Sequence, residues 1–516
     1  MTILFNEIDV LIVGAGPVGL ATALELGLHD VDCLVVERRD GSTYAPKTTM
    51  VSARNMEFCR RWGIAPQVRN KVWDEDRRLD FVYAESLTGA EIGRWPTPCY
   101  REQRISSPSP EVATHCPQLY FDPILKERVA RESRASLLYQ TNVVDFVEDE
   151  DGVSAMLERD NERFEIRCRI LVACDGAAGL VREKLNIPLE GRGHLAQSVN
   201  VFFECRDLDS RHAKGWARIY RMVDERGCWS ELIPIDGNRL WRLTVFDEPD
   251  VPRPPEDYLR RAFGTDIPVR VIDASTWSRR DYVARSYGTR RVFLVGDSAH
   301  QCSPTSGLGM ATGLEDAVNL GWKIAAALQG WGGHALLASY EQERKPLALR
   351  NVSLSTLAFD AIRAIPPRLA NAGPQNWQED LSKFSTPEFV KLHYVYETSE
   401  ICLPDGENAA ALAAPLARPG ARAPHAWIAP GRSILDLFGP HFSILKLIPG
   451  VDASPLETAI EGLGAPIKTH DASSVSLSHD YGCALALVRP DGHIAWRGSH
   501  ASEADAAKIA KRACGF

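Results

Sequence analysis

The chain has 516 residues, 45% hydrophobic and 25% charged, the make-up of an ordinary globular protein too long for one core, so two or three domains are expected. A net charge of −9 without any block of basic residues argues against a nucleic-acid partner, and no apolar run approaches the ~20 residues that span a bilayer. Twelve cysteines with no C-x-x-C pair and no zinc-like spacing point to no metal site and fit the reducing cytoplasm, and the first seven residues lack the basic cluster of a signal peptide.

From the amino end, residues 9–13 (DVLIV) form a short branched apolar run, expected to be a parallel strand buried on both faces. Gly14, Gly16 and Gly19 follow on the G-x-G-x-x-G spacing, with Pro17 and Val18 between the last two, and residues 20–28 carry helical periodicity. In that setting the first glycine makes a tight turn, the second lets a pyrophosphate approach the backbone, and the third lets helix pack on strand. The phosphate would rest on the helix amino terminus, where free N–H groups and the helix dipole favour negative charge. A second strand, residues 33–37 (CLVVE), ends in Glu37, followed by Arg38. A carboxylate about twenty residues after the glycines is placed to accept hydrogen bonds from ribose hydroxyls. This half predicts a dinucleotide and does not separate FAD from NAD.

Residues 199–204, 217–220, 228–233 and 240–245 read as short strands with turn punctuation, and residues 71–109, rich in Trp, Tyr and Pro, are assigned to the same middle domain. Arg218, Tyr220, Trp229 and Trp241 are candidate substrate contacts, although only about half of a strand's residues share a face. Arg94, Arg101, Arg104 and Arg218 are candidates for holding a substrate carboxylate. Residues 291–296 (RVFLVG) form another buried strand ending at Asp297, whose carboxylate can accept from a ligand hydroxyl. Pro304, Gly307 and Gly309 then remove side chains and fix the backbone, so that a flat ring can approach the main chain. Residues 313–328 continue as an apolar-striped helix. His300 is read as a structural hydrogen-bonding residue and Cys302 as a packing residue. A helical stretch over 331–369 leads to a linker at 370–376 (ANAGPQN) and then to a further domain.

Taken together, the run VGDSAHQCSPTSGLGM at 295–310 is similar to the G-D-A-A-H-x-x-P-P-x-x-G-x-G-M-N signature of the single-component flavoprotein aromatic hydroxylases, the p-hydroxybenzoate and phenol hydroxylase family. Residues 46–57 (PKTTMVSARNME) resemble that family's segment with an FAD-contacting arginine, here Arg54. Residues 118–125 (QLYFDPIL) resemble its Q-x-x-L-E-x-x-L helix, whose glutamine, here Gln118, approaches FAD. Residues 171–176 (LVACDG) with Arg182 resemble its Asp-Gly fingerprint, which serves FAD and the nicotinamide coenzyme, here at Asp175.

The resemblance covers essentially the whole chain. It implies an α/β fold in which a Rossmann-type FAD-binding domain (1–180 with 285–370) carries an inserted mixed-sheet substrate domain (71–109 with 185–284) and a thioredoxin-like C-terminal domain (400–516). It adds Gly296, Asp297, Pro304, Gly307, Leu308, Gly309 and Met310 to the FAD contacts. It implies NADPH or NADH as reductant, O2 as co-substrate, and a small aromatic substrate hydroxylated ortho or para to a phenol or aniline group through a flavin C4a-hydroperoxide. Thr49 stands where phenol hydroxylases carry a substrate-deprotonating aspartate, so no catalytic acid or base is named. Ala178 and Gly179 stand for the usual Arg and Ser, Ser303 for the first of two prolines, Ser306 for a glycine and Ala311 for an asparagine. From residue 418 onward only Cys483 and Cys514 occur, so the last domain is read as redox-inactive, serving homodimer contacts or covering the FAD domain. Two alternatives are a flavin-dependent halogenase, because residues 229–234 (WSELIP) come close to W-x-W-x-I-P, and a flavoprotein scaffold without turnover.

Overall fold

The structure, a computed structural model, describes residues 7–44, 47–70, 73–105, 107–246, 253–365, 391–405, 417–475 and 477–516. Strand Glu7–Val13 is flanked in parallel by Cys33–Glu37 and by Glu162–Ala173. Val10, Leu11 and Ile12 are fully buried, because helices cover both faces of such a sheet and leave no polar side. Ala135–Tyr139 extends the sheet beyond Cys33–Glu37, Val292–Leu294 pairs in parallel with Glu162–Ala173, and the antiparallel strands Val153–Arg159 and Asn142–Glu148 complete it. Helices Pro17–Leu28 and Gly309–Gln329 lie against each other across small residues. A Cβ at Gly313 would come within 2.7 Å of Val18 Cγ2, and one at Gly321 within 2.7 Å of Glu25 Cβ.

The second sheet has eight strands in the order His300–Gln301, Arg270–Ala284, Leu189–Glu204, Leu240–Val245, Gly227–Pro234, Ile219–Asp224, Phe81–Ala84 and Glu91–Trp95. All neighbours are antiparallel except Ile219–Asp224 with Phe81–Ala84, so the sheet is mixed. The four strands expected between 199 and 245 are present; the one expected at 217–220 starts at Ile219 and runs on to Asp224. One face of this sheet packs on helix Pro255–Phe263 through Val201, Phe203, Tyr220, Trp229, Leu232, Trp241 and Leu243. Tyr220, Trp229 and Trp241 are therefore core residues of that outer layer, not substrate contacts. The large aromatic area that made them candidates is spent on burying the helix.

A third, four-stranded sheet, ordered Ile467–Asp471, Phe442–Lys446, Leu485–Val488, Ile494–Gly498, is flanked by helices Ser454–Glu461 and Glu503–Ala513. Its core is continuous with Trp322 and Trp331 at the end of the Gly309–Gln329 helix. All twelve cysteines are free thiols, Cys514 being buried in this core. Helix His334–Arg363 realises most of the helical stretch expected from 331, whereas the expected linker at 370–376 lies outside the described residues. Among the described residues no helix is long and apolar enough to cross a membrane.

Candidate active site

The three amino-terminal glycines divide their roles as their spacing suggests. Gly14 adopts φ +105°, and a Cβ there would fall 2.4 Å from the Cys174 carbonyl oxygen; a Cβ at Gly19 would fall 1.9 Å from the Gly14 oxygen. Both are closed against the fold. A Cβ at Gly16 meets nothing within 4 Å, so this glycine opens onto free space at the start of helix Pro17–Leu28. Glu37 Oε2 accepts from the Ala15 N–H at 2.9 Å and Oε1 from the Arg39 N–H at 2.9 Å, fixing the carboxylate beside the glycine turn. Arg38 is exposed, and its charge reaches Asp175.

The carboxy-terminal half closes on this turn through Gly296 (φ +66°), where a Cβ would lie 3.1 Å from Val18 Cγ2. Asp297 follows. It is exposed and makes no hydrogen bond among the described residues, and desolvation by the protein around it pushes its carboxyl above the usual range. His300 is the structural strut expected of it: Nε2 lies 2.6 Å from Asp316 Oδ2, both side chains fully buried, while Asp316 also accepts from Arg344 Nε (2.7 Å) and the Gly296 N–H (3.2 Å). Burial drives the Cys302 thiol far up, which makes it inert packing. Pro304 is exposed in a single helical turn, and Gly307 (φ +65°) and Gly309 each leave room for a Cβ with no atom within 4 Å. Leu308 is buried as the N-cap of helix Gly309–Gln329, and Met310 packs on the main core.

Asp175 sits between the two halves. Its Oδ2 accepts from the Val181 N–H at 3.1 Å, its buried Oδ1 has no partner, and burial raises its carboxyl. A Cβ at Gly179 would lie 2.1 Å from that Oδ1, so a larger residue there requires the Asp175 carboxylate to move. The cradle at Gly16, Gly307 and Gly309, two helix amino termini, and the unpartnered oxygens of Asp297 and Asp175 fit an elongated dinucleotide with a flat ring at one end. Arg54 and Gln118 are held differently. Arg54 donates to Glu57 (2.8 Å) and to the Asp491 carbonyl (3.1 Å) and leaves only Nε unpartnered; Gln118 donates to Asp122 Oδ2 at 3.1 Å.

The inner face of the eight-stranded sheet supplies the wall opposite this cradle. Register places Arg221, Glu231, Thr244 and Asn200 side by side, and Ile233, Arg242 and Phe202 in the next row. Arg221 donates to the Tyr83 hydroxyl at 2.7 Å and approaches Glu231 at 3.7 Å. Arg242 donates to the Lys47 carbonyl at 2.9 Å, and Thr244 to Asn200 at 2.9 Å. Arg279 reaches across to the loop before the helix, donating to Ser303 Oγ (3.2 Å) and Thr305 Oγ1 (3.3 Å) as well as to Ser198 Oγ (3.1 Å). The rings of Phe246, Trp277 and Phe359 surround its guanidinium at 4.5–4.8 Å. Desolvation lowers both Arg242 and Arg279, the latter to about 10.

Of the arginines chosen from sequence, Arg94, Arg101 and Arg104 form ion pairs outside this wall with Asp80 and Glu91, with Asp76, and with Glu75, and Arg218 lies over the Phe81 ring at 5.4 Å. The wall arginines were missed. The usable signal was alternation: polar Arg242 and Thr244 interleaved with Trp241, Leu243 and Val245 in strand Leu240–Val245. The WSELIP segment is strand Gly227–Pro234 ending at its proline, with Trp229 turned outward beneath Arg261 at 3.9 Å. Among the described residues no group of three His, Cys, Asp or Glu side chains could hold a metal ion.

Residues 7–355 match the FAD binding domain family, and residues 416–515 match the family described as aromatic-ring hydroxylase, C-terminal. The 2,4-dichlorophenol 6-monooxygenase of Delftia acidovorans is 30% identical over 95% of this chain and 95% of its own. The rebeccamycin biosynthetic enzyme RebC with reduced flavin superposes with a TM-score of 0.91 at 33% identity, covering 99% of both chains. Aklavinone-11 hydroxylase in ternary complex with FAD and aklavinone gives a TM-score of 0.84 at 29% identity, again over 99% of both.

Proposed function

Because this chain belongs to the FAD-dependent aromatic-ring hydroxylases, it is an aromatic monooxygenase, and we propose that its substrate is a phenolic ring held between the glycine cradle and the inner face of the eight-stranded sheet. The balance is ArH + O2 + NAD(P)H + H+ giving ArOH + H2O + NAD(P)+. FAD, reduced by the nicotinamide coenzyme, supplies the activation of O2 when bound. We assign the pyrophosphate to Gly14, Gly16 and Gly19, the ribose to Glu37 with Arg38, the ribityl chain to Asp297, and the ring to Pro304 and the Gly307–Met310 backbone.

The observation that carries this reading is the bridge from Arg279 to Ser303 and Thr305, which sets the sheet's inner face directly over the ring-binding loop. The wall then does three things. Phe202, Ile233 and Trp277 exclude water, so an activated oxygen is not lost to solvent. Arg221 and Arg242 impose a positive field that favours a phenolate over a phenol and so raises electron density at the ortho and para carbons. Glu231, 3.7 Å from Arg221, is a carboxylate of that wall and orients a ring hydroxyl.

We assign the region after residue 417 to covering the FAD domain. Arg422 grips Glu57 beside Arg54, and Arg489 grips Glu343 on helix His334–Arg363 at 2.6 Å. Cys483 and Cys514 have thiols raised by burial, to about 11 and about 12, unlike a working redox pair.

The test is NADPH and NADH oxidation by FAD-loaded protein across phenols, hydroxybenzoates, anilines and polycyclic phenols, with products identified by mass. Stimulation by a phenol with gain of one oxygen atom is expected. Stimulation by none of these rings would overturn the reading.

A further inference from the structure

The molecule treats its buried arginines in two ways. Arg344 holds Asp316 at 2.7 Å and Glu315 at 3.1 Å, and Arg489 holds Glu343 and Asp491, so each of these buried cations meets two carboxylates. Arg279 is equally hidden, at 2% exposure, but among the described residues it has no ion-pair partner. Its hydrogen bonds go to three neutral hydroxyls, Glu231 acts on it only from a distance, and Arg242 and Arg363 repel it. Burying a charge without a counter-charge is strongly unfavourable, and aromatic faces and hydroxyls offset only part of that cost. A second group on the same wall lacks a partner: Trp277 Nε1, a buried N–H donor with no acceptor, belongs to the ring that stacks on Arg279 at 4.8 Å.

The acceptors bonded to the guanidinium are neutral hydroxyls, and the Trp277 N–H adds a further donor without one. Ser303 and Thr305 fix the guanidinium to the loop before helix Gly309–Gln329, the loop assigned to the ring. We propose that Arg279, with the Trp277 N–H beside it, is an anion subsite for the substrate, so that the enzyme selects an aromatic ring bearing a carboxylate or another anionic oxygen. The inference rests on the assignment of this wall to a phenolic substrate and narrows that class.

The test uses the FAD-loaded full chain. Binding is read from perturbation of the flavin spectrum by 4-hydroxybenzoate and its methyl ester, and by 6-hydroxy-2-naphthoate and its methyl ester. The wild type binds each acid at least about tenfold tighter than its ester. Arg279→Met, which also removes the bridge to Ser303 and Thr305, weakens both ligands but the acid far more, bringing acid and ester within about twofold of each other. Bound FAD and an unchanged thermal unfolding curve show the variant to be folded; Arg279→Lys keeps most of the preference. Trp277→Phe, which keeps an aromatic ring but removes the donor, weakens the acid about fivefold more than the ester.

An acid preference that survives in Arg279→Met, or a wild type that binds ester and acid alike, overturns the proposal. So does an Arg279→Met variant whose flavin midpoint potential moves while its acid preference does not, since the charge would then serve the flavin. If neither acids nor esters perturb the flavin and none stimulates NAD(P)H oxidation, the phenolic-substrate reading itself falls and the subsite with it.

Discussion

Gly16→Ala separates cofactor binding from folding. The backbone there has φ −71°, which alanine adopts without strain, and the added Cβ would touch no protein atom within 4 Å. Replacing glycine at a compatible position reduces the freedom of the unfolded chain, so the apoprotein is expected to gain roughly 0.4–1 kcal/mol. The methyl group nevertheless stands where a pyrophosphate must approach the turn. Overpacking of that kind costs about 1–3 kcal/mol, which weakens FAD binding by roughly 5- to 150-fold. Gly19→Ala is the control: its Cβ would meet the Gly14 oxygen at 1.9 Å, so it lowers apoprotein stability as well. FAD affinity is read by quenching of flavin fluorescence, and stability by thermal unfolding with and without FAD. Wild-type FAD affinity in Gly16→Ala would refute the assignment of this turn to the pyrophosphate.

Three further substitutions test other parts of the structure. Burial raises the Asp122 carboxyl to about 6 against hydrogen bonds from Thr43 and Gln118, so its folded value lies above its unfolded one. The stabilisation from its bound proton is present below pH ~4 and is lost as pH rises through 6, so Asp122→Asn should be about 1–3 kcal/mol more stable than wild type at pH 7 and indistinguishable at pH 4; equal melting curves at both pH values would contradict this. Glu343→Gln leaves Lys323 and Arg489 buried beside a neutral amide and is expected to cost about 3–5 kcal/mol in guanidinium unfolding followed by tryptophan fluorescence, a loss below about 1 kcal/mol counting against the network. Gly179→Ser drives a Cβ to 2.1 Å from Asp175 Oδ1, so FAD should bind more weakly in titration; unchanged affinity would show that Asp175 lies outside the cofactor contacts.

Elements whose sequence pattern and burial pattern coincide were legible. The DVLIV run, the three glycines and Glu37 form a strand, turn, helix and strand that local pattern announces, even though partners such as Glu162–Ala173 and Cys174 lie far along the chain. Asp297 was legible for the same reason, standing at the end of a buried strand before a glycine-rich loop. The inner face of the eight-stranded sheet was not. In Leu240–Val245 the alternation of Trp241, Leu243 and Val245 with Arg242 and Thr244 shows two faces but not which one a helix covers. Helix Pro255–Phe263 covers the apolar face, so the aromatic residues that resembled ligand contacts became core and the arginines became lining. Arg54 illustrates a different limit: its partners Asp491 and His493 lie more than four hundred positions away, and no local pattern announces them.

The most direct test of the assigned chemistry is turnover of FAD-loaded protein with NAD(P)H and a stimulating phenol under oxygen-18 gas. Incorporation of one labelled oxygen atom into the ring product, with one coenzyme oxidised per product formed, is the expected result. Coenzyme oxidation that yields only hydrogen peroxide for every aromatic compound tried, or ring oxygen drawn from water, would contradict it.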